Sequence, residues 1–177
     1  MKKHSPFQGP FHAEDLTRRR AIAGVVVALA GLAADSEVLG DTPTPDANKT
    51  RTSLHQETDF KATPHRIYEA LLDAKQFAAL TGMPAEIDPK EGGSFSTFNG
   101  MVVGRTIELI ADQRVVQAWR PTHWEPGIYS IVKFELKPHG TETTIVLDHT
   151  GFPEGEYDHL FTGWKWRYWD PLKKFLA

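Results

Sequence analysis

Several features that mark common classes of protein are missing from this sequence. It contains no cysteine, which excludes disulfides, thiolate zinc sites and a cysteine nucleophile. Its formal net charge is -3 at pH 7, so it lacks the basic excess of most nucleic-acid-binding proteins, and we expect no nucleic-acid partner. No apolar run reaches the ~20 residues that a spanning helix needs, so no membrane span is predicted for the mature protein.

Motifs for catalysis and cofactor binding are also missing. Glu91–Ser94 has two glycines but neither the lysine nor the following helix of a phosphate-binding loop. No G-x-S-x-G motif marks a serine nucleophile. The histidines of the later chain form no H-x-H or H-x-x-x-H pair, so we predict no metal site, no cofactor and no catalytic residue. These histidines are His55, His65, His123, His139, His149 and His159.

The N-terminal segment is typical of a targeting signal. Arg18–Arg20 precede the apolar run Ala21–Ala34, which is rich in alanine and glycine and only mildly hydrophobic. Paired arginines before such a run indicate a twin-arginine-type signal, which exports proteins already folded. Residues 1–34 are therefore predicted to be this signal, and the protein to be periplasmic or extracellular. The alternative is a cytoplasmic protein in which this segment packs on the domain as a helix.

Residues 35–52 are polar and punctuated by proline, without hydrophobic periodicity. This composition predicts a disordered linker. The folded domain is therefore predicted to cover residues 53–177.

The pattern within residues 53–177 predicts an α+β domain. A first strand, Ser53–Ala62, is followed by two short helices that start at Pro64 and end before Gly82. A long apolar stripe predicts a final helix over Glu156–Ala177, which Pro171 should bend or interrupt. Asn99–Gly100 predicts a two-residue hairpin. Six further strands are predicted at Ala85–Asp88, Gly93–Asn99, Met101–Ala111, Val115–Arg120, Tyr129–Lys137 and Thr143–Thr150.

The order and spacing of short fragments across the whole domain carry a family resemblance. The fragments are Ala62–Pro64, Ile67–Leu71, Phe77, Leu80–Gly82, Gly92–Phe95, Phe98–Gly100, Gly104, Glu108–Leu109, Val116–Arg120 and Gly163–Trp169. Together they resemble the family named for the activator of the heat-shock protein 90 ATPase, C-terminal-domain type, within the START-like (SRPBCC) superfamily. The resemblance implies a helix-grip fold, with a curved antiparallel sheet of about six or seven strands wrapped around the long C-terminal helix. It implies no single activity, because this superfamily includes carriers, enzymes and co-chaperone domains.

Aromatic residues are the distinctive content of the domain, and a sheet curled around a helix can leave a cavity. Five tryptophans are present, and all lie in the last third of the chain. They either fill the core or line a pocket for an apolar ligand. Strand alternation predicts that His149 points inward with Ile145 and Leu147. It would then be either a polar anchor in the cavity or a hydrogen-bonded core histidine. The predicted ligand-binding residues are Phe98, Trp119, Tyr129, His149, Trp164 and Tyr168.

Three functions are compatible with this pattern. The leading hypothesis is an exported module that binds a small hydrophobic or amphipathic ligand between sheet and helix. The second is a cyclase- or hydrolase-like enzyme using the same cavity, with His149, Tyr129 or Glu108 as proton carrier. The third is a co-chaperone-like interaction domain of the heat-shock protein 90 ATPase activator type, which predicted export disfavours.

Overall fold

Buried and exposed side chains alternate along the strands, and the strands form one curved antiparallel sheet. The computed structural model of the chain describes residues 48–177. Its seven strands lie in the order β1-β7-β6-β5-β4-β3-β2, and every neighbouring pair is antiparallel. The apolar face packs on the helices. The strands are β1 Ser53–Phe60, β2 Glu86–Ile87, β3 Ser94–Thr97, β4 Val102–Ile110, β5 Arg114–Pro121, β6 Ser130–His139 and β7 Glu142–Thr150.

Two short helices follow β1, α1 at Pro64–Leu72 and α2 at Ala74–Thr81. Thr63 caps the first helix by accepting from the N–H of Arg66, and Asp73 caps the second. Gly82 ends α2 in the left-handed conformation at φ 70°, which suits a residue without a side chain. The predicted α+β class and helix-grip architecture are thus confirmed.

The C-terminal helix is continuous but contains a wider turn. It consists of α3, Tyr157–Trp164, a π-helical turn, Lys165–Trp169, and α4, Asp170–Leu176. In the π turn the N–H of Asp170 donates to the carbonyl of Lys165, five residues earlier. This turn lies directly before Pro171, whose ring would collide with the carbonyl four residues back in a regular α-helix.

The spacing of the buried residues explains why the wider turn is needed. Leu160, Trp164, Tyr168 and Leu172 are buried at strict four-residue intervals. In an α-helix each such interval drifts by about 40° around the axis, since a turn takes 3.6 residues. The π turn offsets this drift and keeps all four side chains buried in the core. The predicted bend at Pro171 is therefore realised as a π turn, Lys165–Trp169.

The loop between β3 and β4 differs from the predicted two-residue hairpin. Thr97 pairs with Val102, so the loop has four residues, Phe98–Met101. Phe98, Asn99 and Gly100 all have positive φ, at 51°, 55° and 82°. A left-handed phenylalanine is strained, but the Phe98 ring is only 2% exposed and packs on the core. Tertiary packing of that ring overrides the local preference of Asn-Gly.

The predicted signal, residues 1–34, and most of the predicted linker lie outside the described residues. Residues 48–50 form a turn that contacts the segment before α3. There the N–H of Gly155 donates to the carbonyl of Lys49 at 2.8 Å, and the guanidinium of Arg51 lies 4.4 Å from the ring centre of Tyr157. Within residues 48–177 no helix has the length and apolar character needed to cross a membrane.

Gly104 on β4 provides a test of the sheet packing. It pairs with Phe95 on one side and Trp119 on the other, and a Cβ here would overlap the Ala118 carbonyl and the Phe95 ring. We expect Gly104→Ala to lower the free energy of unfolding by about 1–3 kcal/mol, as overpacking does. Urea unfolding followed by circular dichroism measures this change.

The control is Gly163→Ala in α3, where a Cβ meets nothing within 4 Å. The free energy of unfolding of this variant should rise by about 0.5–1 kcal/mol, because glycine is a poor helix former. Equal stability of Gly104→Ala and wild type would show that the sheet relaxes around the added methyl.

Candidate functional site

A cavity of about 240 Å³ lies between the sheet and the C-terminal helix. The sheet side comes from β4, β5 and the loops at one end of these strands, and the helix side comes from α3 and the π turn. The lining residues are Phe98, Met101, Val102, Trp119, Pro121, Thr122, His123, His159, Leu160, Gly163, Trp164, Arg167 and Tyr168.

Aromatic rings form the inner walls of the cavity. Trp119 of β5 stacks on Trp164 of α3, with ring centroids 5.6 Å apart and 28° between the planes. Tyr168 lies 4.4 Å from Trp164 and meets Phe98 nearly edge to face at 5.2 Å. All four side chains are nearly fully buried. Large rings held by neighbours in a close-packed interior cannot shift to fill the space.

A chain of hydrogen bonds fixes these walls from behind. Trp164 donates its indole Nε1–H to Nδ1 of His149 at 3.1 Å, so that nitrogen carries no proton. The proton of His149 is therefore on Nε2, which donates to Ser130 Oγ at 2.7 Å. The Ser130 hydroxyl donates in turn to the carbonyl of Trp119 at 3.0 Å. The chain joins the C-terminal helix to β7, β6 and β5.

Burial sets the protonation of the two titratable groups beside the cavity walls. It lowers the pKa of His149 from its ordinary value of 6.5 to about 3. Burial also raises the pKa of Tyr168 well above its usual range, and its hydrogen bond with Trp119 and the nearby charge of Arg167 oppose this rise only in part. His149 is therefore a neutral imidazole and Tyr168 a neutral phenol at physiological pH.

The part of the cavity that meets solvent is polar, and we call it the cavity mouth. It consists of Met101, Thr122, His123, His159 and Arg167, of which all but Arg167 are exposed. The carboxylate of Glu156 lies 3.4 Å from Nε2 of His123. An apolar interior thus opens past Met101, three side chains that can donate hydrogen bonds, and one permanent cation.

Gly163 keeps part of the helix wall open. It lies between Leu160 and Trp164, and a Cβ at this position meets no atom within 4 Å. The cavity therefore extends to the backbone of α3 at this point. Glycine costs helix stability relative to alanine, so its presence here matches a need for space.

Four of the predicted ligand-binding residues line the cavity, namely Phe98, Trp119, Trp164 and Tyr168. His149 is fully buried behind Trp119 and Trp164, as the hydrogen-bonded core histidine that was the alternative interpretation. Tyr129 precedes β6, is 48% exposed, and does not line the cavity. Strand alternation could not place it, because it lies just outside the strand.

The proposed proton carriers are not brought together. His149 is enclosed in the core, and Tyr129 lies outside the cavity. Glu108 of β4 pairs with Arg114 of β5 at 3.3 Å. None of the three lines the cavity. The geometry therefore does not support these three residues as an acid–base set for the cavity.

The cavity mouth and the role of Gly163 were not predicted from the sequence. The sequence gives little indication of His123, His159 and Arg167, since each is an isolated polar residue. Gly163 offered a signal, because a glycine within a helix pattern usually has a packing or functional reason.

A seven-stranded antiparallel sheet closed over a C-terminal helix, with a cavity between them, defines a START-like helix-grip domain. A family model described as Activator of Hsp90 ATPase homolog 1-like protein matches residues 61–177. The chain belongs to this family.

Known proteins agree with this assignment. An uncharacterized protein of Schizosaccharomyces pombe is 28% identical over 85% of this chain and 43% of its own length. The activator of 90 kDa heat shock protein ATPase homolog of Dictyostelium discoideum is 28% identical over 73% of this chain and 34% of its own length. The chain therefore spans less than half the length of these relatives. The crystal structure of an HSP90 activator from Plasmodium falciparum superposes with a TM-score of 0.68 at 25% identity, covering 71% of this chain and 96% of that one.

The lowered pKa of His149 predicts a pH-dependent stability. The unfolded imidazole takes up a proton below about pH 6.5 and the folded one only near pH 3, so acid favours unfolding across this window. The contribution of His149 should fall by about 1.4 kcal/mol per pH unit below 6.5. His149→Gln should be less stable than wild type at pH 8, and this difference should shrink as the pH falls from 6.5 to 4.

Urea unfolding of both proteins at several pH values measures the difference. The exposed His55 and His65, whose pKa values are raised by Asp148 and Asp112, occur in both proteins and cancel. A difference that stays constant between pH 8 and pH 4 would mean that His149 takes up its proton at the same pH in the folded and the unfolded protein.

Proposed function

We propose that this domain binds a small, largely apolar molecule in the cavity between the sheet and the C-terminal helix. The observation that carries the proposal is the set of preformed aromatic walls. The hydrogen-bonded chain through His149 holds Trp119 and Trp164, and ring contacts hold Phe98 and Tyr168. A rigid, open, aromatic space lowers the cost of ordering the protein when a ligand enters.

The volume of the cavity limits the ligand. An apolar cavity of about 150 Å³ accepts benzene, and pockets for drug-sized molecules have about 300–1,000 Å³. The cavity here, at about 240 Å³, lies between these values. A ligand with one or two aromatic rings fits this space, whereas a long lipid chain would protrude from it.

Blocking the cavity at Gly163 tests the proposal. The probe is 2-naphthamide, a neutral two-ring compound. It should bind the wild type and shift the indole N–H signals of Trp119 and Trp164 in nuclear magnetic resonance spectra. Gly163→Leu fills the open wall, and a steric cost of about 1–3 kcal/mol weakens binding about tenfold or more.

The matched control is Thr162→Leu, which adds a similar side chain at the next, exposed position of α3, outside the cavity lining. This variant should bind the probe like the wild type. Failure of the wild type to bind, or unchanged binding by Gly163→Leu, would contradict the proposal.

A second candidate function comes from the relatives. Those of Dictyostelium and Plasmodium are named as activators of the 90 kDa heat shock protein or its ATPase. The chain matches their family model over residues 61–177. A domain of this kind would act on an ATPase through its surface rather than through a cavity. The proposed export of the chain weighs against this function.

The two candidates differ in their response to a blocked cavity. The rate of ATP hydrolysis by a purified 90 kDa heat shock protein is measured with wild type and with Gly163→Leu. A surface activator should raise the rate equally in both forms. We expect no stimulation by either form, and a clear stimulation that survives Gly163→Leu would favour the second candidate.

A further inference from the structure

Arg167 stands at the cavity mouth, and no acidic partner is found for it among residues 48–177. Lys165 pairs with Asp170 and His123 pairs with Glu156, and no ion pair within residues 48–177 includes Arg167. Its guanidinium instead lies 4.1 Å from the ring centre of Trp166 and 5.8 Å from that of Phe98. These rings orient the cation but do not neutralise its charge.

The surroundings of Arg167 favour an anion. Glu156, an acid next to the mouth, is engaged by His123. The rings of His123 and His159 lie 5.9 Å apart, edge to face, and both residues line the mouth. A ligand that enters the apolar interior therefore leaves its outer end beside a partly buried guanidinium and imidazole donors.

We propose that the ligand is a small aromatic carboxylate, whose ring lies against the walls and whose carboxylate pairs with Arg167. This inference rests on the proposed function of the cavity. The planar guanidinium matches a carboxylate through two parallel hydrogen bonds, which a neutral group cannot replace. Partial burial of Arg167 reduces the screening of this pair by water.

A pair of probes that differ only in charge tests the proposal. Binding of 2-naphthoate and of its neutral isostere 2-naphthamide is measured on the full chain by the shifts of the tryptophan indole signals. Wild type should bind 2-naphthoate about tenfold or more tightly than 2-naphthamide, because hydrogen bonds to a charged group contribute more free energy than those to a neutral group. Arg167→Gln should remove this preference while keeping the affinity for 2-naphthamide.

Two further variants define the role of Arg167. Lys174→Gln removes an exposed cation of α4 that does not line the cavity, and it should keep the preference for 2-naphthoate. Arg167→Lys keeps the charge but loses the planar fork, so it should keep part of the preference. It also provides a test if Arg167→Gln does not fold.

The outcomes separate this inference from the proposed function. Equal affinity of wild type for both probes would overturn the carboxylate assignment and leave a cavity for neutral ligands. A preference for 2-naphthoate that persists in Arg167→Gln would also overturn it. If wild type binds neither probe, the proposed function fails together with this inference.

Discussion

The hydrogen-bonded chain from Trp164 through His149 and Ser130 to the Trp119 carbonyl is the constraint on which this domain depends. It fixes the helix against three strands at one point and sets the orientation of both stacked tryptophans. Each donor has one acceptor, so the neutral imidazole is the form that satisfies every bond. A buried polar network of this kind stabilises one packing arrangement because any other leaves polar atoms unpaired.

The space beside this network persists because the residues around it cannot close it. The rings of Trp119 and Trp164 are already stacked, and Gly163 has no side chain to extend. Phe98 adopts a left-handed backbone that costs about 1–3 kcal/mol, and burying its ring returns a similar amount. The loop therefore holds its ring at the cavity edge instead of relaxing into a tight hairpin.

The sequence was sufficient to predict the architecture but only part of the site. Alternation along the strands and the apolar stripe of the last helix depend on local periodicity, so the sheet, the helices and the inward side of His149 could be predicted. The conformation of Phe98 and the exposure of Tyr129 depend on contacts between distant segments. The cavity mouth was not predictable for the same reason, since Arg167 and His123 meet only in the folded chain.

The π turn at Lys165–Trp169 has a consequence for how this domain varies among relatives. A helix acquires such a turn when it contains one residue more than regular α geometry accommodates between two fixed contacts. Trp164 before the turn and Leu172 after it are both anchored in the core. Loss of a single codon between them can therefore be absorbed by reverting the turn to α-helix only if Pro171 is replaced as well, whereas the same loss in β5 would turn the remaining side chains of that strand to the opposite face.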